Sequence, residues 1–226
     1  MIVRTDISQN SLEWMAARAG VVTASEFESL LTPKWEPRKG LGVETYLCQK
    51  LAERWIGPLP SFNTLDMEWG QLLEEQARPW LAFHLDKEIK EVAFITTDDG
   101  KIGCSPDGLI DETGVEIKCP NPAHHVKYLM AGKVPDDYLA QVHGSMYVTG
   151  FKSWRFVSFH RRFPKLVLNV ERDEKIQAVI GETLAAFVAK LDAAFNRLCE
   201  MNGGPPKRFT PHPTPTPADE NGGVTP

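Results

Sequence analysis

The chain has 226 residues, 42% of them hydrophobic and 24% charged, which suits one sizeable globular domain and excludes fibrous or disordered classes. Its 25 Lys and Arg against 30 Asp and Glu leave a net charge of −5, which excludes uniform basic coating of nucleic acid and confines any DNA contact to a local surface. No apolar run approaches the ~20 residues of a bilayer span, no signal-peptide core follows Met1, and Cys48, Cys104, Cys119 and Cys199 form no Cys-x-x-Cys pair, so a reduced, cytoplasmic setting without membrane contact is expected.

Residues from about 11 to 31 read as two short helices. Leu12, Met15 and Ala16 have helical spacing, Gly20 breaks it, and Thr23 with Glu26 reads as a capping box that places Ser25 at the second helical position. A basic, proline-broken loop over about 32–40 contains Lys34, Arg38 and Lys39. With Arg18, Arg161 and Arg162 these are the basic residues available for a local DNA surface. Helices are predicted near 43–55 and 64–85, the second with Trp69, Leu72, Gln76, Trp80 and Phe83 close to one stripe. Residues 89–97 and 101–104 read as a hairpin around Asp98-Asp99-Gly100. A strand with Glu116 follows, then a helix near 136–149, strands at 153–159 and 165–171, and a helix over about 173–201. This order predicts an α/β (α+β) domain, a central mixed β-sheet flanked by helices, over residues 1–202. Residues 203–226, rich in Pro, Thr and Gly, read as a flexible tail.

The chemistry concentrates between Asp107 and Cys119. Val115-Glu116-Ile117-Lys118-Cys119 alternates with the period of a strand, which puts Glu116 and Lys118 on one face and Val115, Ile117 and Cys119 on the other. Asp107 arrives from the preceding turn-rich segment, where Gly108 lets the backbone bend. Two carboxylates beside an ammonium suit a hard cation. Mg²⁺ or Mn²⁺ accepts one or two carboxylates, keeps its waters and takes substrate phosphate oxygens, and the Ile117 carbonyl is a further candidate ligand. A second ion could stabilise the leaving oxygen, and Lys118 could orient water, help deprotonate it or stabilise the transition state. His124 and His125 read as surface or supporting residues.

Asp107 with Glu116-x-Lys118 is the motif of the PD-(D/E)xK nucleases, whose core is that of restriction endonucleases. Three further blocks narrow the likeness: Trp14–Glu26, Trp69–Glu74 and Ala140–Thr149. In order, and with Val170–Lys175, they resemble the phage lambda exonuclease and YqaJ-type viral recombinase family over about residues 10–200. The resemblance implies a processive, Mg²⁺-dependent 5′→3′ exonuclease that degrades one strand of linear duplex DNA to mononucleotides and leaves 3′ overhangs. It also implies two ions per site, a homotrimeric ring, a single-strand annealing partner and a phage or prophage setting in a bacterial host. By position it makes Asp107, Glu116 and Ile117 metal ligands, Lys118 the catalytic lysine, Glu74 an additional acid and Gln141 a positioning amide. Arg18 and Ser25 match 5′-phosphate ligands, Met67 a wedge at the duplex end, and Lys34 a DNA-contacting loop residue. An endonuclease of the same superfamily and a noncatalytic DNA-end-binding scaffold are the alternatives.

Overall fold

A computed structural model describes the backbone of residues 1–60 and 65–206, and side chains there except those of 65–69 and 71. Of the expected tail, residues 207–226 lie outside the described residues. The elements are β1 (Ile2–Arg4), α1 (Leu12–Arg18), β2 (Val22–Thr23), a 3-10 helix (Ala24–Ser29), α2 (Leu41–Ile56), α3 (Leu65–Leu85), β3 (Phe94–Thr96), β4 (Ile102–Cys104), β5 (Gly108–Ile110), β6 (Thr113–Lys118), α4 (Pro122–Ala131), α5 (Asp136–Thr149), β7 (Ser153–Ser158), β8 (Leu166–Glu171) and α6 (Glu174–Asn202).

The expected layering of helices on mixed sheet is present, with the strands divided between two four-stranded sheets, β1-β3-β4-β2 and β5-β6-β7-β8. Each has one parallel pair: β2 with β4, and β6 with β7 in a register that sets Lys118 opposite Ser158. The second pair needs a crossover, which α4 and α5 supply. The sheet carrying β6 is covered on both faces. Val115, Ile117 and Val157 pack with Ala77 and Leu81 of α3, while Trp154 and Phe156 pack with Val142 and Met146 of α5. The first sheet shares its core with α2, α6 and the 3-10 helix through Phe27, Tyr46, Ile95, Leu184 and Phe187.

Several local expectations need correction. The inner stripe of α3 is Leu73, Ala77 and Leu81; Leu72 and Phe83, placed on it by sequence, are exposed. Both stripes have helical spacing, and only the docking against β6 selects between them. The segment after Thr23 is a 3-10 helix, and no capping box closes: Thr23 Oγ1 donates to Glu26 Oε2 (2.7 Å) and caps no backbone amide. Strands β1, β2 and β5, each of two or three residues, and helix α4 are additional to the elements expected. The first strand of the hairpin begins only at Phe94.

Gly20 closes the turn between α1 and β2. Its φ of +74° lies in the left-handed region, and a Cβ there would stand 2.3 Å from Arg54 Cγ. Its N–H donates to Glu53 Oε2 (2.9 Å), and its carbonyl accepts from Arg54 Nε (3.0 Å). Buried Lys50 pairs with both Glu53 (2.9 Å) and Glu26 (2.8 Å), which ties α2 to the segment carrying Ser25.

Candidate active site

Alternation along β6 sends Val115 and Ile117 into the α3 layer and Glu116 and Lys118 to the other side. Lys118 Nζ lies 2.6 Å from Glu116 Oε1. Gln141, on α5, donates its Nε2 to the same oxygen at 2.6 Å. Glu116 is 2% exposed, and its Oε2 is buried with no hydrogen-bond partner among the described residues. Tyr138, one turn before Gln141, presents its ring 5.1 Å from the Lys118 ammonium.

Asp107 stands just before β5 and is fixed from several directions. Its backbone N–H donates to Val115 O (3.0 Å), its Oδ2 accepts from Ile117 N (2.5 Å), and its carbonyl accepts from Arg78 Nε (2.9 Å). Arg78 also holds Glu74 (3.2 Å) one turn earlier on α3 and Glu91 at 3.0 Å. Glu74 lines the same pocket as Asp107, whereas the Glu75 side chain is exposed, so α3 brings Glu74 to the acidic centre.

Burial, then the neighbouring Glu74 charge, raises Asp107 to about 7 against the pull of Lys118. Burial also lifts Glu116 to about 7, with Lys118 opposing and Asp107 adding to the rise. Burial likewise raises Glu74, with Arg78 opposing. For Lys118 burial works against the charge, but Glu116 and Asp107 outweigh it and hold the pKa above the ordinary lysine value. The ammonium therefore keeps its proton, while the carboxylates cannot all ionise at neutral pH without further positive charge.

A hard divalent cation fits this donor set. Asp107, Glu116 and the Ile117 carbonyl offer only oxygen, and Glu116 Oε2 is an unsaturated acceptor. Among the described residues no three His, Cys, Asp or Glu side chains form a ready metal cluster, so waters or substrate oxygens have to complete the sphere.

Beyond Pro106 a second polar group gathers around Arg18. Its guanidinium lies 4.3 Å from the Trp14 ring centroid. Nη1 donates to Ser105 Oγ (2.8 Å), and Nη2 to Ser25 Oγ (3.2 Å) and Thr23 Oγ1 (3.3 Å). One cation with three hydroxyls is a competent oxyanion cradle. Ser105 and Thr23 sit at the ends of the parallel pair β2–β4, and Ser105 lies two residues before Asp107. The structure thus joins Arg18 with Ser25, and Asp107 with Glu116, Lys118, Glu74 and Gln141. It does not bring Lys34 to either group: the side chain is exposed, and the backbone amide bonds to Thr32 Oγ1 at 3.3 Å. Met67 falls within α3, but its side chain lies outside the described residues.

Ser105 and Arg78 received no role from the sequence. Glu74 and Arg78 at i,i+4 on one helix were a usable signal for the second. For the first, a serine two residues before a candidate ligand carries no local signature.

Residues 13–152 match the family model described as the YqaJ-like viral recombinase domain. The solved alkaline exonuclease LHK-Exo from Laribacter hongkongensis is 31% identical and superposes with a TM-score of 0.77, covering 85% of this chain and 98% of that one. Its complex with dAMP gives the same values. A phage-related exonuclease from Haemophilus somnus, at 16% identity, TM-score 0.60 and coverage of 79% and 96%, shares the fold. Among curated proteins, ExoD of Escherichia coli (strain K12) is 32% identical over 74 residues, 30% of this chain and 85% of ExoD.

Proposed function

The chain belongs to the YqaJ-like viral recombinase family, and from that premise we propose that it is a metal-dependent exonuclease that removes mononucleotides from the 5′ ends of duplex DNA. The observation that carries this reading is Glu116: two donors crowd onto Oε1 while Oε2 stays buried, with no hydrogen-bond partner among the described residues. Mg²⁺ held by Asp107, Glu116 and the Ile117 carbonyl, with Mn²⁺ as a substitute and room for a second ion, would neutralise phosphoryl charge and acidify a water.

The chain's own groups then have separate tasks. Lys118, 2.6 Å from Glu116 Oε1, is placed to stabilise charge on the scissile phosphate and to orient the attacking water or help deprotonate it. Gln141 fixes Glu116, and Arg78 fixes Asp107 and Glu74. Arg18, Ser25 and Ser105 hold the terminal 5′-phosphate, which sets the end from which the strand is read. Each cleavage leaves a new 5′-phosphate one nucleotide along, and its capture by the same cradle supports processive digestion with a surviving 3′ overhang.

From the family resemblance of the sequence we further propose action as a homotrimeric ring beside a single-strand annealing protein in a bacterial cytoplasm.

Linear duplex labelled at either the 5′ or the 3′ ends, incubated with Mg²⁺ beside a closed circle, tests the activity. Early release of the 5′ label as mononucleotide with an intact circle is the expected result. A cut circle would move the chain to the endonucleases, and binding of ends without any release would make it a scaffold.

A further inference from the structure

The parallel strands β6 and β7 end on the same edge of their sheet. In open α/β sheets the crevice beyond the carboxyl ends of the strands is where ligands bind. Here that crevice is a cleft of about 540 Å³ that opens at Cys119, the residue after Lys118. One wall is the segment after β6, Cys119–Pro122; the other is the β7–β8 turn, with His160, Arg161, Arg162 and Phe163.

That turn concentrates positive charge in a chain whose net charge is −5. Arg161 and Arg162 are exposed, and neither has an ion-pair partner among the described residues. Lys165 adds a third charge, held over the rings of Phe159 (5.4 Å) and Trp80 (5.8 Å). Burial first, then the adjacent His125, Arg161, Arg162 and Lys165, pushes the His160 pKa down. The turn is also anchored from behind. Fully buried His125 of α4 donates from Nε2 to Pro164 O (2.9 Å) and accepts at Nδ1 from Ser158 Oγ (2.8 Å). Arginines with no ion-pair partner among the described residues, on an anchored turn beside Lys118, suit a phosphate chain.

We propose that the Cys119–Phe163 cleft is a second DNA subsite, in which Arg161 and Arg162 hold the backbone phosphates of the degraded strand on the 3′ side of the scissile bond. It rests on the exonuclease reading. The Arg18 cradle at the end of the first sheet takes the terminal phosphate, the carboxylates take the next, and the strand continues past Lys118 into the cleft. The contacts are to phosphate, so they bear on affinity and register and are indifferent to base sequence. Phe163 and His160, with ring centroids 5.0 Å apart, supply an aromatic surface beside the phosphate path.

The test measures binding of a 5′-phosphorylated linear duplex by the full chain in EDTA across a salt series, with thermal melts to verify folding. Arg161→Gln/Arg162→Gln is expected to flatten the slope of log K against log salt by roughly 1.4 to 1.8 and to weaken binding about tenfold or more near ~0.1 M salt. Arg161→Lys/Arg162→Lys, which keeps the charge, is expected to retain most of the slope. An unchanged slope in the glutamine variant, or equal losses in both variants, would overturn the subsite. Failure of the unmodified chain to bind DNA would overturn the exonuclease reading with it, whereas normal binding without hydrolysis in Mg²⁺ would sink the enzyme assignment alone.

Discussion

Lys118 and Gln141 reach the same oxygen of Glu116, yet only one of them brings charge. Lys118→Ala is expected to lower the cleavage rate by at least about 10²-fold, on the scale of other lost charge-stabilising groups. Binding to duplex ends in EDTA should change little, and a parallel loss of affinity would assign Lys118 to binding. Arg18→Ala should remove discrimination between 5′-phosphoryl and 5′-hydroxyl ends, read as the ratio of initial rates on the two substrates. A preserved ratio would free Arg18 from the phosphate role. Glu116 and Lys118 were legible in the sequence because alternation along a strand decides which side chains share a face, and Asp107 because its Asp-Gly turn stands at motif spacing before them. Ser105 was not, since its partner Arg18 lies 87 residues away and no local periodicity connects them.

Among the elements, the 3-10 helix packs closely on α5 at Gly144. A Cβ there would stand 2.3 Å from Phe27 Cδ2, and Phe27 is fully buried. Gly144→Ala should therefore destabilise by about 1–3 kcal/mol, a fall of roughly 2–12 °C in Tm for a chain of this size. Because that 3-10 helix carries Ser25, 5′-phosphate preference should weaken as well; an unchanged melt would show that the ring moves aside freely. The α2 ion pairs predict a pH dependence. Burial opposes the Glu53 charge, but the Gly20 N–H, Lys50 and Gln49 bonds prevail and lower its pKa. A depressed folded pKa contributes stability above the unfolded value of ~4.3 that is lost as pH falls through the folded value. The difference in Tm between the parent chain and Glu53→Gln should thus be largest near neutral pH and shrink below about 4. A constant difference would mean that the bond pattern and not the charge matters. Long elements such as α2, α5 and α6 were readable from periodicity and glycine stops. β2 and β5 were not, since strands of two or three residues have too few positions to show a period.

Over the whole molecule, cation binding and folding stability are linked. A Mg²⁺ ion bound by Asp107 and Glu116 in the native state alone should raise Tm, with about 2.7 kcal/mol of stabilisation at a hundredfold excess over Kd. Glu116→Gln should abolish most of that rise, and an equal rise in both proteins would place the ion elsewhere. Sequence order predicted mixed sheet between helical layers, but not the division into two sheets, because strand pairing between β2 and β4 is a long-range choice. Nor could a net charge of −5 reveal basic residues gathered beyond the ends of two parallel strands.

The same parallel pairing has a kinetic side. Thr113 pairs with Ser153 across a connection that contains α4 and α5, and β2 pairs with β4 across two long helices, so the sheets close through contacts far apart in the chain. The carboxylates, the lysine and the phosphate cradle come from α1, β2, the 3-10 helix, α3, β6 and the loop between β4 and β5, so the whole set does not assemble locally. Folding should accordingly be slow for its size, and hydrolytic competence should appear in its last phase. A chain emerging from the ribosome would then be harmless to nearby DNA until its β7 strand has docked.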